Sequence, residues 1–252
     1  MNKRTSFLYA AGASLVVIAI WSVASYSKLV SPIFIPTPTA ALAAFIAGIQ
    51  DFTLIMDFLW TSYRFLMAFV LAILIGTPIG ILMGTSQRIY KSLEFLVEFF
   101  RSIPTTALFP LFILFFGIDD QSKIAVATWG ACLIVIVNTM YGVHNSKKLR
   151  LLVAQNLKLS RWQTLSQVVF FDALPQIVSG YRVALSISLV IIVVTEMFIG
   201  SRAGLGLRIL NAQQVYNTAD MFAAIFTTGL LGFTANKLLQ FADTRFVHWK
   251  GR

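Results

Sequence analysis

Few side chains in this sequence are suited to catalysis. The 252 residues include two histidines and one cysteine, Cys132, which lies inside an apolar run. There is no His-Glu-x-x-His motif and no serine–histidine pairing, so the sequence does not support a metal-dependent or nucleophilic enzyme. The phosphate-binding pattern Gly-x-x-x-x-Gly-Lys-Ser/Thr is also missing. We therefore expect no cofactor in this chain and no ATP binding by it.

Polar side chains within apolar stretches are stronger candidates for function. Charge that faces lipid is expensive, so such residues are candidates for lining a path through a membrane. They are Arg64, Asn138, Thr139, Arg182 and Glu196. The two arginines would attract an anionic solute, or each would snorkel to an interface. Glu196 could instead lie at the depth of the lipid headgroups. Asn138 and Thr139 could instead hold neighbouring helices together.

The stretches around these residues predict about six membrane-spanning helices. The chain is 58% hydrophobic and 12% charged, a balance that does not suit a soluble domain. Six almost uncharged runs each approach the roughly 20 residues that cross a bilayer. They are Phe7–Tyr26, Phe65–Met83, Ser102–Ile118, Ile124–Gly142, Val183–Gly200 and Met221–Phe241. Because backbone groups must find partners within lipid, the runs predict helices and an all-α membrane protein.

Helix-breaking residues concentrate in the second and third runs. They are Gly76, Pro78, Gly80, Pro104 and Pro110. Such breaks are tolerated in membranes where they pack against protein or line a cavity, so both runs are predicted to be irregular. Pro175 is predicted to lie near the start of the fifth span, where its missing N–H costs little.

The net charge is +10, and the excess basic residues are interpreted as setting the membrane orientation. No nucleic-acid partner is expected, because the sequence lacks a basic patch. With the N-terminus inside, the inside segments hold twelve of the 20 Lys and Arg residues and the outside segments hold four. This bias predicts that both termini are cytoplasmic. Phe7–Tyr26 is interpreted as a retained helix rather than a signal peptide. Within the outside connection, Thr39–Ile49 predicts an interfacial helix.

The long inside connection, Val143–Tyr181, contains a helix-start signal. Ser160 is followed three residues later by Gln163, which fits a capping box and predicts a helix that runs to about Phe171. A shorter helix is predicted over Lys148–Leu157. By spacing alone, the alternative is an ordinary basic loop that binds lipid phosphates.

Several motifs in matching order resemble the permeases of binding-protein-dependent ABC importers, most closely the nitrate, sulfonate, taurine and bicarbonate group. In the loop and fifth span they are Ser160-Arg161-Trp162-Gln163, Ala173-Leu174-Pro175, Gly180-Tyr181-Arg182 and Thr195-Glu196-Met197. Elsewhere they are Ser31-Pro32 to Leu42, Arg101-Ser102-Ile103-Pro104, Phe115-Phe116-Gly117-Ile118, Ser122-Lys123, Asn138-Thr139 and Gly204-Leu205-Gly206. The resemblance covers nearly the whole chain.

The resemblance implies a type I importer permease fold, with one permease domain over residues 1–252 and cytoplasmic coupling helices in the 143–181 loop. It implies an inner-membrane permease that works with a dimer of ATPase subunits, which hold ATP and Mg. A second permease chain, identical or different, and a periplasmic or lipid-anchored substrate-binding protein complete the assembly. The residues implied to couple to the ATPase are Ala154, Leu157, Leu159, Ser160, Arg161, Trp162 and Gln163.

One departure from the family pattern lies in the same loop. The family loop usually opens with Glu-Ala-Ala and has a glycine six residues after the glutamate. Here Leu152, Val153 and Ala154 stand at the first positions and Lys158 at the glycine position. The change removes an ion pair and a permissive bend, which leaves the docking details open.

Two other classes of protein remain as alternatives at this stage. An ion-coupled secondary transporter would work without an ATPase. The two halves of the sequence show no convincing inverted repeat, and acidic residues at midplane depth are scarce, so this class is less favoured. A membrane enzyme would need a catalytic or metal cluster. The solute is expected to be a small anion, and nitrate, taurine, alkylsulfonates, bicarbonate, aromatic acids and vitamin precursors all remain open.

Overall fold

The computed structural model describes residues 3–27, 30–31, 33–146 and 148–246, and every element within them is a helix. The α-helices are α1 (Lys3–Tyr26), α2 (Pro38–Gln50), α3 (Thr53–Thr85), α4 (Gln87–Ser102), α5 (Phe109–Phe116), α6 (Asp120–His144), α7 (Lys148–Asn156), α8 (Arg161–Gln163), α9 (Phe170–Phe198), α10 (Leu205–Gln214) and α11 (Thr218–Phe246). A 3₁₀ turn, Thr105–Leu108, precedes α5, and a π-helical segment, Thr164–Val169, joins α8 to α9.

Long apolar helices account for the predicted spans. Among the described residues, four helical stretches are long and apolar enough to cross a membrane: Thr53–Thr85, Asp120–His144, Arg161–Phe198 and Thr218–Arg245. A bent pair, Gln87–Ser102 with Thr105–Phe116, supplies a fifth if it forms one span. The helix α1, apolar over Gly12–Tyr26, corresponds to the first predicted run. The chain is thus an all-α membrane protein with about six spans.

The third predicted span differs most from the structure. Ser102–Ile118 is not one helix, because the chain bends by 91° between α4 and the stretch Thr105–Phe116. Pro104 stands at this bend, where it cannot continue a helix. The predicted irregularity of the second span is wrong, since α3 is continuous and carries Pro78 inside it.

The described residues divide into two compact units, which lie within residues 1–60 and 202–229 and within 61–201 and 230–252. Each unit contains part of α3 and part of α11. The division does not test the single permease domain, which stays a prediction.

In the first unit, α2 confirms the helix predicted over Thr39–Ile49. Thr37 caps it by accepting a hydrogen bond from the Ala40 N–H, and Pro38 occupies its first turn, a position where proline costs no hydrogen bond. Trp21 of α1 donates from Nε1 to the Pro36 carbonyl at 2.9 Å and stacks on Phe222, with ring centroids 5.8 Å apart.

Arg208 of α10 organises the polar part of the same unit. Its Nη2 donates to Asp220 Oδ1 at 2.7 Å, and its Nη1 lies 3.3 Å from Asp57 Oδ2. Burial lowers the pKa of Arg208, but hydrogen bonds to Asp220 and the charges of both aspartates outweigh burial and raise it above its usual value. The guanidinium therefore connects the starts of α3 and α11 to α10.

In the second unit, α3 and α6 run parallel and pack through a row of small residues. Glycines at positions 76, 80 and 84, one turn apart, face Val135, Thr139 and Val143 of α6. A Cβ atom at any of the three glycines would lie 2.6–2.9 Å from a side-chain atom of α6. Small residues of this spacing let helix backbones approach closely in membranes, where dispersion contacts drive association.

Helices α6 and α9 pack antiparallel in the same unit. Gly130 faces Ile191, Gly180 faces Asn138, and Gly142 faces the Ala173 carbonyl. The middle and C-terminal half of α6 is largely buried. Helix α6 therefore forms the core of this unit, with α3 and α9 packed against it.

Candidate coupling loop and intramembrane polar residues

The capping box predicted at Ser160 is confirmed. Ser160 Oγ accepts a hydrogen bond from the Gln163 N–H at 3.2 Å, and Gln163 Oε1 accepts one from the Ser160 N–H at 2.9 Å. Two of the backbone donors that a helix start leaves unpaired are thus satisfied by side chains of the segment itself.

The predicted end of this helix near Phe171 is wrong. The helical path continues from Arg161 to Phe198 without a break, through the π-helical segment and into α9. Pro175 accordingly lies inside α9 rather than near the start of a separate span. The proline removes one backbone bond, and the apolar side chains of the span continue on both sides of it. Helix α8 and the fifth span therefore form one continuous helical path.

Helix α7 matches the helix predicted over Lys148–Leu157 to within one residue. Lys158 lies two residues beyond the end of α7, and its φ of 53° is left-handed. The Lys158 N–H bonds to the Gln155 carbonyl at 2.9 Å, and the Leu159 N–H bonds to the Ala154 carbonyl at 3.1 Å. This is a Schellman motif, whose left-handed position favours glycine. The backbone keeps the bend that the family glycine permits although a lysine occupies it.

Apolar side chains of the loop face outward around a groove. The groove has a volume of about 510 Å³ and is lined by Leu149, Arg150, Val153, Ala154, Leu157, Leu159, Gln167, Val168, Phe171 and Asp172. Ala154 is buried, Leu157 is exposed and Leu159 is half-buried. Trp162, on α8, is 74% exposed.

An ion pair and an apolar cluster anchor the loop to the spans. Arg150 of α7 donates to Asp172 at the start of α9. The cluster consists of Val143, Val169, Ala173 and Ile177, with Ile81, Leu151, Leu165, Phe170 and Tyr181 packed against it. It contains residues of α3, α6, α7, α9 and the π-helical segment. The loop is therefore packed directly against residues of the spans.

Arg64 and Glu196, two of the predicted path residues, form a buried ion pair. Arg64 Nη1 lies 2.6 Å from Glu196 Oε1, and Arg64 Nε lies 2.7 Å from Asp120 Oδ1. Lys123 Nζ approaches the same Asp120 oxygen at 3.4 Å. We call Arg64, Asp120, Lys123 and Glu196 the ionic cluster. Thr61 adds a hydroxyl that donates to Glu196 at 2.9 Å.

Three participants in the cluster are not among the residues that the sequence predicts for the path. They are Thr61, Asp120 and Lys123, and the Lys123 side chain is buried at the start of α6. The spacing of Asp120 and Lys123, three residues apart at a span start, is a signal that could have paired them.

Asn138 and Thr139 both face neighbouring helices. Asn138 Oδ1 accepts a hydrogen bond from Gln176 Nε2 of α9 at 3.0 Å. Thr139 is fully buried against Gly80, and its hydroxyl has no hydrogen-bond partner among the described residues. These contacts are of the kind that hold helices together.

Arg182 of α9 pairs with Asp243 of α11. Its Nη2 lies 2.6 Å from Asp243 Oδ2. The arginine Nε and Asp243 Oδ1 are buried without a partner in the part of the chain that the structure describes. Arg182 thus makes a helix–helix contact, while the path role assigned to the five polar residues stays a prediction. Within the described ranges, no group of three His, Cys, Asp or Glu side chains could hold a metal ion.

The long apolar helices define a polytopic membrane protein, and comparison with known proteins identifies its family. The sequence profile described as "Binding-protein-dependent transport system inner membrane component" matches residues 76–249. The chain belongs to this family.

Two curated relatives match almost the whole chain. A putative aliphatic sulfonates transport permease protein, SsuC, of Bacillus subtilis (strain 168) is 32% identical over 249 residues, which cover 99% of this chain and 90% of the relative. The taurine transport system permease protein TauC of Escherichia coli (strain K12) is 29% identical over 245 residues, which cover 95% and 89%.

A solved structure shares the fold. The inward-facing MetNI methionine ABC transporter contains a chain that superposes with a TM-score of 0.69 at 20% identity, over 81% of this chain and 98% of that one. The predicted type I importer permease fold is confirmed. The chain is a multi-pass permease subunit of an ABC importer, as predicted, and its relatives are transport permeases rather than enzymes.

Proposed function

We propose that this permease carries a small organosulfonate-like anion across the bacterial inner membrane. A substrate-binding protein, periplasmic or lipid-anchored, delivers the solute. A separate dimer of ATPase subunits, which holds ATP and Mg, supplies the energy. Two permease chains enclose the path in contact with membrane lipid, and both termini are cytoplasmic. The permease itself carries no catalytic group.

The continuity of α8 with α9 is the observation on which the coupling mechanism rests. Trp162 stands exposed on α8, and the helical path runs from Arg161 to Phe198. An ATPase surface that engages Trp162 and the groove would therefore push directly on a membrane span. The coupling residues are those named from the family resemblance: Ala154, Leu157, Leu159, Ser160, Arg161, Trp162 and Gln163.

The apolar cluster carries the displacement to other spans. Val143 belongs to α6 and Ile81 to α3, and both pack with residues of the loop. A packed core transmits movement because it is not continuously deformable. Closure of the ATPase dimer would thus shift a two-state equilibrium between inward-facing and outward-facing arrangements.

The names of the relatives support the solute class. The two nearly full-length relatives described above are named for aliphatic sulfonates and for taurine. A nitrate import permease of Leptolyngbya laminosa, 30% identical over 73% of this chain, makes nitrate the second candidate. All three solutes are small and carry an anionic oxygen-rich group.

Radiolabelled taurine uptake tests coupling. The chain, its ATPase and its binding protein are co-expressed in cells that lack their own taurine importer. Deletion of residues 160–164, or Trp162→Ala, is expected to abolish uptake while the chain still inserts into the membrane. Tyr9→Ala removes a similarly exposed aromatic group, which is 71% exposed on α1, and should leave uptake unchanged. Normal uptake by the deletion variant would refute the coupling role.

Affinity purification tests the assembly. The tagged chain is extracted in mild detergent and the proteins that accompany it are identified. An ATPase subunit with one or two kinds of permease chain is expected, and their ratio distinguishes a homodimer from a heterodimer. A chain that purifies alone even after crosslinking would contradict the proposed partners.

A further inference from the structure

The ionic cluster has no spare charge to offer a solute. Two cations, Arg64 and Lys123, face two anions, Asp120 and Glu196, so the cluster is formally neutral. Arg64 is only 2% exposed and Glu196 is 0% exposed. Arg64 uses Nε for Asp120 and Nη1 for Glu196. An arriving anion would have to displace one of these carboxylates.

Burial makes each member dependent on the others. A charge removed from water is strongly disfavoured unless a partner of opposite sign and hydrogen bonds compensate it. Loss of Arg64 alone would remove the cation that lies 2.6 Å from the buried Glu196 carboxylate. Loss of Glu196 alone would leave excess positive charge in the same place. The complete cluster is thus stable, whereas loss of one member leaves a buried charge that destabilises the fold.

The cluster also continues the close contact between α3 and α6. Arg64 lies on the four-residue repeat that passes through Ala68 and Ala72 to the three glycines at 76, 80 and 84, and Lys123 lies on the repeat that leads to Val135, Thr139 and Val143. Residues four apart form one ridge of a helix. The small-residue contact therefore ends in charged residues, and Glu196 brings α9 into the same cluster.

We propose that the ionic cluster is a charge-neutral clamp that holds α3, α6 and α9 together, and that Arg64 and Glu196 do not bind the transported anion. This inference goes beyond the proposed function, because it holds for any solute. It assigns a helix-clamping role to two residues that the sequence made candidates for the path.

A rescue experiment in the full assembly separates the clamp from a solute site. Arg64→Met and Glu196→Gln are made singly and together, with the ATPase and binding protein co-expressed. Glutamine keeps an acceptor for Thr61, and the double variant is again neutral, because Asp120 and Lys123 still pair. The readouts are the detergent-extractable amount of folded chain, its melting temperature and the uptake of radiolabelled taurine.

The clamp predicts that each single variant lowers the folded amount by roughly tenfold, and that the double variant returns to within about twofold of the wild type. Taurine uptake should recover with it. A double variant no better than the poorer single variant would overturn the proposal, as would single variants that match the wild type. A folded double variant without uptake, beside an active wild type, would make Arg64 or Glu196 a solute residue and also overturn it. If the wild type takes up no taurine, the proposed solute fails, and the folded amount and melting temperature still decide the clamp.

Discussion

Gly80 of α3 faces Thr139 of α6 so closely that a Cβ atom at position 80 would lie 2.6 Å from the Thr139 Cβ and 2.7 Å from the Ile136 carbonyl oxygen. One of these neighbours is backbone, which a rotamer change cannot move. The contact sets the distance between two parallel spans, and it allows a direct test of their packing.

Gly80→Ala should force α3 and α6 apart. Overpacking of a close contact costs about 1–3 kcal/mol, so we expect a lower melting temperature of the purified chain and reduced uptake. Gly229→Ala is the matched control, because nothing lies within 4 Å of its Cβ position. At that site the better helix propensity of alanine should add up to about 1 kcal/mol of stability. Equal stability of Gly80→Ala and the wild type would disprove the close contact.

Arg64→Lys should destabilise the chain although the charge is kept. Arg64 bonds two carboxylates through two different nitrogens, and an ammonium group cannot reproduce that fork. We expect a loss of about 1–3 kcal/mol in thermal unfolding, the usual cost of an unsatisfied buried partner. The control is Arg101→Lys, since the Arg101 side chain is 43% exposed beside Glu98, and its effect should stay below about 1 kcal/mol. Similar losses for both variants would contradict the buried fork.

Lys158→Gly should stabilise the end of α7. The left-handed conformation at φ 53° costs a residue with a Cβ atom roughly 1–2 kcal/mol, which glycine avoids. Hydrogen exchange of the Leu159 amide, which bonds to the Ala154 carbonyl, should slow. Lys158→Ala removes the charge but keeps the Cβ atom, and should leave exchange unchanged. Equal slowing in both variants would mean that charge, not backbone strain, governs this site.

Ser160→Ala should weaken the start of α8. The substitution removes the acceptor for the Gln163 N–H, a change that costs about 1 kcal/mol at a helix start. We expect faster hydrogen exchange in α8 and the π-helical segment. Trp162→Ala should leave that exchange unchanged, because the ring is 74% exposed, and should reduce uptake through the proposed ATPase contact. Exchange that responds to Trp162→Ala but not to Ser160→Ala would reverse these roles.

The sequence by itself determined the class of the protein, the approximate spans and the local features of the loop. Hydropathy over about 20 residues predicts membrane helices because the bilayer has a fixed thickness. The capping box at Ser160 could be read directly, since its two partners are three residues apart. Motif order predicted the family, and the long helices and the family match confirmed these interpretations.

Only the tertiary structure decided which polar residues meet. Arg64 and Glu196 stand 132 residues apart, and their pairing depends on how α3 and α9 are rotated about their axes. Hydropathy does not specify this rotation, because an apolar span looks alike on every side. The contact between Thr139 and Gly80 could not be predicted for the same reason, because it also depends on the rotation of the two helices. The continuity of α8 with α9 also escaped prediction, because a capping signal marks where a helix starts but not where it ends.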